Sequence, residues 1–115
     1  MERAQARMRD LQVDTILLTT EADVLYFTGF LTRFWESPTR PWFVLLPSEG
    51  RPVAVIPEIG AAGMAETWVE TIHTWPAPRP ADDGISILQK VISDLPRRFG
   101  RLGVPLGHES LLRMP

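Results

Sequence analysis

Apolar residues recur along this chain in two rhythms, and the places where the rhythm changes mark its elements. Ala4, Met8 and Leu11 stand at helical spacing among Arg and Gln, which predicts a short amphipathic helix at the start. Residues 13–19 are β-branched and aliphatic and read as a buried strand. Thr20, with Asp23 three positions on, offers an N-cap for a helical turn through residues 24–27 that ends near Gly29. Residues 31–41 have no periodicity and read as a loop. Residues 42–47 and 52–57 are apolar at nearly every position, and Ser48, Glu49, Gly50 and Arg51 join them as a hairpin turn. Unbroken apolar strands fit burial on both faces, with helices covering a sheet.

Small residues at 61–65 predict a tightly packed helix over 58–66, and residues 68–75 alternate as a fourth strand. Pro76, Pro78 and Pro80 exclude regular structure between them. Asp82 or Asp83 is expected to cap a helix carrying Ile85, Leu88, Ile92 and Leu95 on one face and stopping at Pro96. Residues 100–105 supply a short last strand. Strands interleaved with helices, plus one hairpin, predict an α/β domain with a mixed β-sheet flanked by helices.

Composition narrows the class. The chain has 115 residues, about one domain, enough to bury roughly two-thirds of its unfolded surface. Hydrophobic residues make up 44% and charged residues 23%, with a net charge of -2 and a single lysine, Lys90. Such a balance argues against disorder, and no basic face suits nucleic acid. No apolar run approaches the length that spans a bilayer, and the charged first ten residues lack the apolar core of a signal peptide. No membrane contact, no nucleic acid and a cytoplasmic location are therefore expected.

Catalytic constellations are hard to assemble from these residues. There is no cysteine, which removes thiolate nucleophiles and Cys-based zinc sites. His108-Glu109 begins like a zinc-protease helix but has Leu112 where the second histidine belongs. His73, in the fourth strand, reads as a structural histidine with a bonded partner. Ser86 lies within the amphipathic helix without the glycines of a nucleophile elbow and reads as a solvent-facing position. Gly100, Gly103 and Gly107 match neither a dinucleotide fingerprint nor a phosphate loop. No catalytic and no metal-ligating residue is assigned to this chain.

What stands out is a cluster of rings and guanidinium groups: Phe27, Phe30, Arg33, Phe34, Trp35, Arg40 and Trp42. Large apolar rings are costly to leave in water, so they either fold onto the core or form a contact surface. Arginine beside aromatic residues also suits bidentate capture of a ligand carboxylate. The loop from Phe30 to Arg40 is expected to be a partner or ligand surface.

Residues 22–30, Ala-Asp-Val-Leu-Tyr-Phe-Thr-Gly-Phe, together with the hairpin over 42–57 and the element order, resemble the creatinase/prolidase N-terminal domain. The resemblance covers essentially the whole chain, residues 1–115. It implies a small α/β domain of ribonuclease-H-like topology that precedes a pita-bread catalytic domain in Xaa-Pro dipeptidases, aminopeptidases P and creatinase. It further implies a homo-oligomer, such as a dimer. Two divalent metal ions, Mn, Zn or Co, are expected in the catalytic domain, held by two Asp, one His and two Glu, where they activate a water. None of that set lies in this chain, which reads as an excised domain or a truncated relative. The resemblance also implies that the loop after Thr28-Gly29-Phe30 reaches the active site of a neighbouring subunit. Its substrate-binding candidates here are Phe30, Arg33, Trp35 and Arg40. The alternatives are a free-standing self-associating module without enzyme activity, or an unrelated small-ligand-binding α/β domain.

Overall fold

The computed structural model describes residues 1–37, 40–108 and 110–114. Its elements run α1 (Glu2–Asp10), β1 (Thr15–Leu18), α2 (Glu21–Thr28), a 3₁₀ turn (Arg33–Glu36), β2 (Phe43–Pro47) and β3 (Val53–Pro57). A second 3₁₀ turn (Glu58–Gly60) leads into α3 (Ala61–Ala65), followed by β4 (Thr71–Trp75), α4 (Ile85–Asp94) and β5 (Leu102–Gly103). One sheet has the order β4-β3-β2-β1-β5. β1 and β3 pair antiparallel with β2, while β5 joins β1 and β4 joins β3 in parallel. This is the mixed sheet with helices that the sequence predicts.

The strand rhythm of two divides the core in a simple way. On β2, Val44 and Leu46 point to one face and Phe43 and Leu45 to the other; on β3, Ala54 and Ile56 oppose Val53 and Val55. The first face is covered by Met8 of α1, Val24 of α2 and Met64 of α3, with Phe30, Trp35 and Trp42 packed beside them. The second is covered by Leu88 and Val91 of α4 together with Trp75. Every residue of β2 and β3 is buried, so their unbroken apolar runs do mark strands covered on both sides.

Several expectations change in detail. In α1 the buried pair is Gln5 and Met8, whereas Leu11, placed on the apolar stripe by spacing, lies past the helix end and is half exposed. Gln5 is buried because its Nε2 donates to the carbonyls of Pro47 and Gly50, at 2.9 and 2.8 Å. A long-range hydrogen bond thus satisfies its amide, the condition for burying a polar group. Trp68 is outside β4: its indole Nε1 donates to the Phe27 carbonyl at 3.1 Å, which ties the approach to β4 onto α2. His73 was expected to be a structural, bonded histidine. It is exposed on an edge strand, and its imidazole makes no hydrogen bond among the described residues.

At α4 the N-cap is Gly84 rather than Asp82 or Asp83. Asp82 acts from two positions before the cap, its Oδ1 accepting from both the N–H (2.9 Å) and the hydroxyl (2.6 Å) of Ser86. Ser86 is solvent-facing, as expected.

Candidate functional site

The motif at 26–30 has a structural logic. Thr28 is buried; its Oγ1 donates to the Val24 carbonyl at 2.6 Å and accepts from the Phe30 N–H at 3.0 Å. Gly29 ends α2 with φ of 78°, the left-handed cap position that glycine takes at least cost, its N–H bonded to the Leu25 carbonyl. The chain therefore turns sharply, and Phe30 enters the core. At the other end of α2, the Thr20 side chain accepts from the Asp23 N–H, as the sequence predicts.

The four predicted contact residues divide by accessibility. Phe30 (4% exposed) and Trp35 (2% exposed) face inward, their rings 5.4 and 5.7 Å from that of buried Trp42. Separations of this size are usual for packed aromatic pairs. These two rings fix the loop to the core instead of presenting themselves to a ligand. Arg33 is exposed and, with Glu21, Leu31, Thr32 and the edge of Trp35, lines an open cleft of about 420 Å³. Arg40 is half-buried; its Nη1 donates to Ser37 Oγ at 3.2 Å, and its Cζ lies 5.5 Å from the centre of the Phe34 ring. The structure thus brings Arg33 and Arg40 to the surface of one loop and keeps the rings beneath it. Pro38 and Thr39, in the expected contact loop, fall outside the described residues, as does Glu109 of the His108-Glu109 pair.

Sequence reading missed Arg113. Its backbone N–H donates to Thr19 Oγ1 at 2.7 Å, and its Nη2 donates to the Ser37 carbonyl at 3.2 Å. Thr19, fully buried just after β1, also donates to the Leu111 carbonyl at 3.5 Å. The last described residues therefore cross the end of β1 and meet the Arg33–Arg40 loop. Residues 94 positions apart leave no local pattern from which this could be foreseen.

A second polar hub lies at the opposite end of β1. Asp14, 7% exposed, accepts from the backbone N–H groups of Arg98, Phe99, Gly100 and Arg101 at 2.6–3.3 Å. Burial works to raise the pKa of this carboxyl, but the four N–H donors outweigh it and hold the group below its ordinary value. The hub seats β5 against β1. Among the described residues, no three His, Asp or Glu side chains come together as a metal ion would require. The two metal ions implied by the resemblance are expected in a separate catalytic domain and not on these residues.

A mixed five-stranded sheet between helices, whose surface loop is pinned from below by aromatic rings, defines a small α/β domain. Residues 1–111 match the Creatinase/Prolidase N-terminal domain, and the chain belongs to that family. No curated protein matches its sequence. Among solved structures, the chain is similar to a proline dipeptidase from Streptococcus pneumoniae, with a TM-score of 0.70 and 18% identity over 96% of this chain and 75% of that one. It is similar to a proline dipeptidase from Streptococcus agalactiae, at TM-score 0.62 and 18% identity over 82% of this chain and 64% of that one. A recombinant prolidase from Thermococcus sibiricus gives TM-score 0.66 and 22% identity over 81% of this chain. Of that prolidase this chain spans 24% of the length. These likenesses establish the shared fold.

Proposed function

We propose that this domain serves as the non-catalytic N-terminal part of an Xaa-Pro dipeptidase-like, metal-dependent hydrolase, forming subunit contacts and the rim of the substrate site. The observation that carries the reading is the family match over residues 1–111, set beside a prolidase of which this chain spans only 24%. Geometry supports a rim role for one loop. Its backbone is held by the buried rings of Phe30 and Trp35, while Arg33 and Arg40 stay accessible above them. A guanidinium on a fixed backbone can pair with a carboxylate while losing little side-chain freedom. In this reading the two metal ions and the water they activate belong to the catalytic domain. Homodimer formation and a cytoplasmic location are part of the same proposal.

The test is made in a protein that joins this domain to its metal-dependent catalytic domain. Arg33→Ala and Arg40→Ala are expected to raise KM for Xaa-Pro dipeptides with a free C-terminal carboxylate while changing kcat little. An unchanged KM in both variants removes the substrate-rim role. Sedimentation of the same protein as a monomer removes the subunit-contact role.

A further inference from the structure

After α4 the chain turns back over residues 97–101, and three arginines, Arg97, Arg98 and Arg101, stand on that turn. All three are exposed. Among the described residues none of their guanidinium groups makes an ion pair or a hydrogen bond; the ion pair present there joins Arg51 to Glu70. Their backbone is fixed even so. Asp14 accepts from the N–H groups of residues 98 to 101, and its own N–H donates to the Arg101 carbonyl at 3.0 Å. Gly100, at φ of 73°, takes the left-handed position that closes the turn. Three guanidinium groups against the one carboxylate of Asp14 leave this corner positive. Asp94, the acid nearest to them in sequence, pairs with none of them.

We propose that this corner is a docking surface for an acidic segment of a partner protein, with one aliphatic side chain of that segment seated between Arg97 and Arg101. The two arginines line an open cavity of about 220 Å³ whose apolar walls are Ile92, Leu95, Pro96 and Leu102. Asp14 also lines it, but its oxygens are taken up by the four N–H groups of the turn. Charge complementarity selects the occupant: flanking carboxylates meet the arginines while the apolar walls take a hydrocarbon side chain. Arginine around a small apolar centre is what protein interfaces concentrate. Because the backbone of the turn is already held by Asp14, binding orders only side chains and loses less entropy. The surface lies at the opposite end of β1 from the Arg33–Arg40 loop, so the inference stands independently of the peptidase reading.

The test is an NMR titration of the isotopically labelled 115-residue chain at low ionic strength. The probes are three blocked tripeptide amides, glutamyl-leucyl-glutamate, glutamyl-glycyl-glutamate and glutaminyl-leucyl-glutamine, and inorganic phosphate. The expected result is saturable movement of the Arg97, Arg101 and Leu102 amide signals with the acidic leucine peptide. The glycine peptide should bind more weakly and the glutamine peptide not at all. Arg97→Gln and Arg101→Gln are each expected to weaken binding about threefold to fivefold, the contribution of one exposed ion pair. Neither change touches the backbone N–H groups that Asp14 accepts from, so both variants should keep the parent's unfolding midpoint. Unmoved signals, or equal movement by the glutamine peptide, overturn the proposal. Equal movement by the glycine peptide or by phosphate also overturns it, since the cavity then plays no part. Movement of the same signals on concentrating the chain alone assigns the surface to a second copy and overturns the acidic partner. Failure here leaves the peptidase reading standing, because the KM measurement tests that separately.

Discussion

The ring of Trp42 lies directly over Gly60: a Cβ placed on Gly60 falls 2.2 Å from Trp42 Cζ3 and 2.6 Å from Cη2. Trp42 is buried to 1% exposure between Phe30 and Trp35, so it has no room to withdraw. The absence of a side chain at position 60 is what lets the turn into α3 close against the aromatic cluster beneath the Arg33–Arg40 loop.

Gly60→Ala is therefore expected to destabilise the chain by about 1–3 kcal/mol, the usual range for overpacking a filled core. Urea unfolding followed by tryptophan fluorescence reads the change. A stability equal to that of the parent would show that the ring yields easily.

Thr28→Val keeps the shape of the side chain but removes the hydroxyl that accepts from the Phe30 N–H. The orphaned donor is buried, and the loss is expected to be about 1–3 kcal/mol. Thermal unfolding measures it. Amide exchange at Phe30 should accelerate more than exchange in β2 or β3, because only the α2-to-loop corner loses a bond.

Asp14 predicts an acid-dependent component of stability. Its folded-state pKa is lowered, so its contribution is complete at pH values above the ordinary carboxylate value and disappears as pH falls through the folded-state value. Asp14→Asn should be less stable than the parent at neutral pH. The gap should close as the solution becomes strongly acidic, where the parent carboxyl is protonated too. Urea midpoints measured across this range test the sign, and a gap that widens in acid contradicts it.

The Arg51–Glu70 ion pair should contribute little. Its side chains are 56% and 72% exposed, and water screens such pairs. Glu70→Gln is expected to shift stability by less than about 1 kcal/mol, in contrast with the buried changes above. Parallel unfolding curves of the two variants give the comparison.

Elements of strong local pattern were legible in the residues. The unbroken apolar runs of β2 and β3, the hairpin between them, the α4 stripe through Leu88, the Thr20 cap and the Gly29 stop all appear where expected, because each depends on neighbours a few positions away. The aromatic cluster was recognised as unusual, but which of its rings faced inward was not readable. A loop without periodicity carries no sign of which side meets the core. Phe30 and Trp35 went inside because they pack on the buried ring of Trp42, which itself lies over the bare backbone of Gly60.

The kinds of element, their order and the α/β class can be read from the residues alone, since hydrophobic period and capping chemistry are local properties. The strand order, the burial of Gln5 and the meeting of Arg113 with Arg40 at Ser37 emerge only in the folded chain. The reason is physical: such contacts join residues tens of positions apart, and their free energy comes from desolvation and hydrogen bonding in a space that exists only once the sheet has formed.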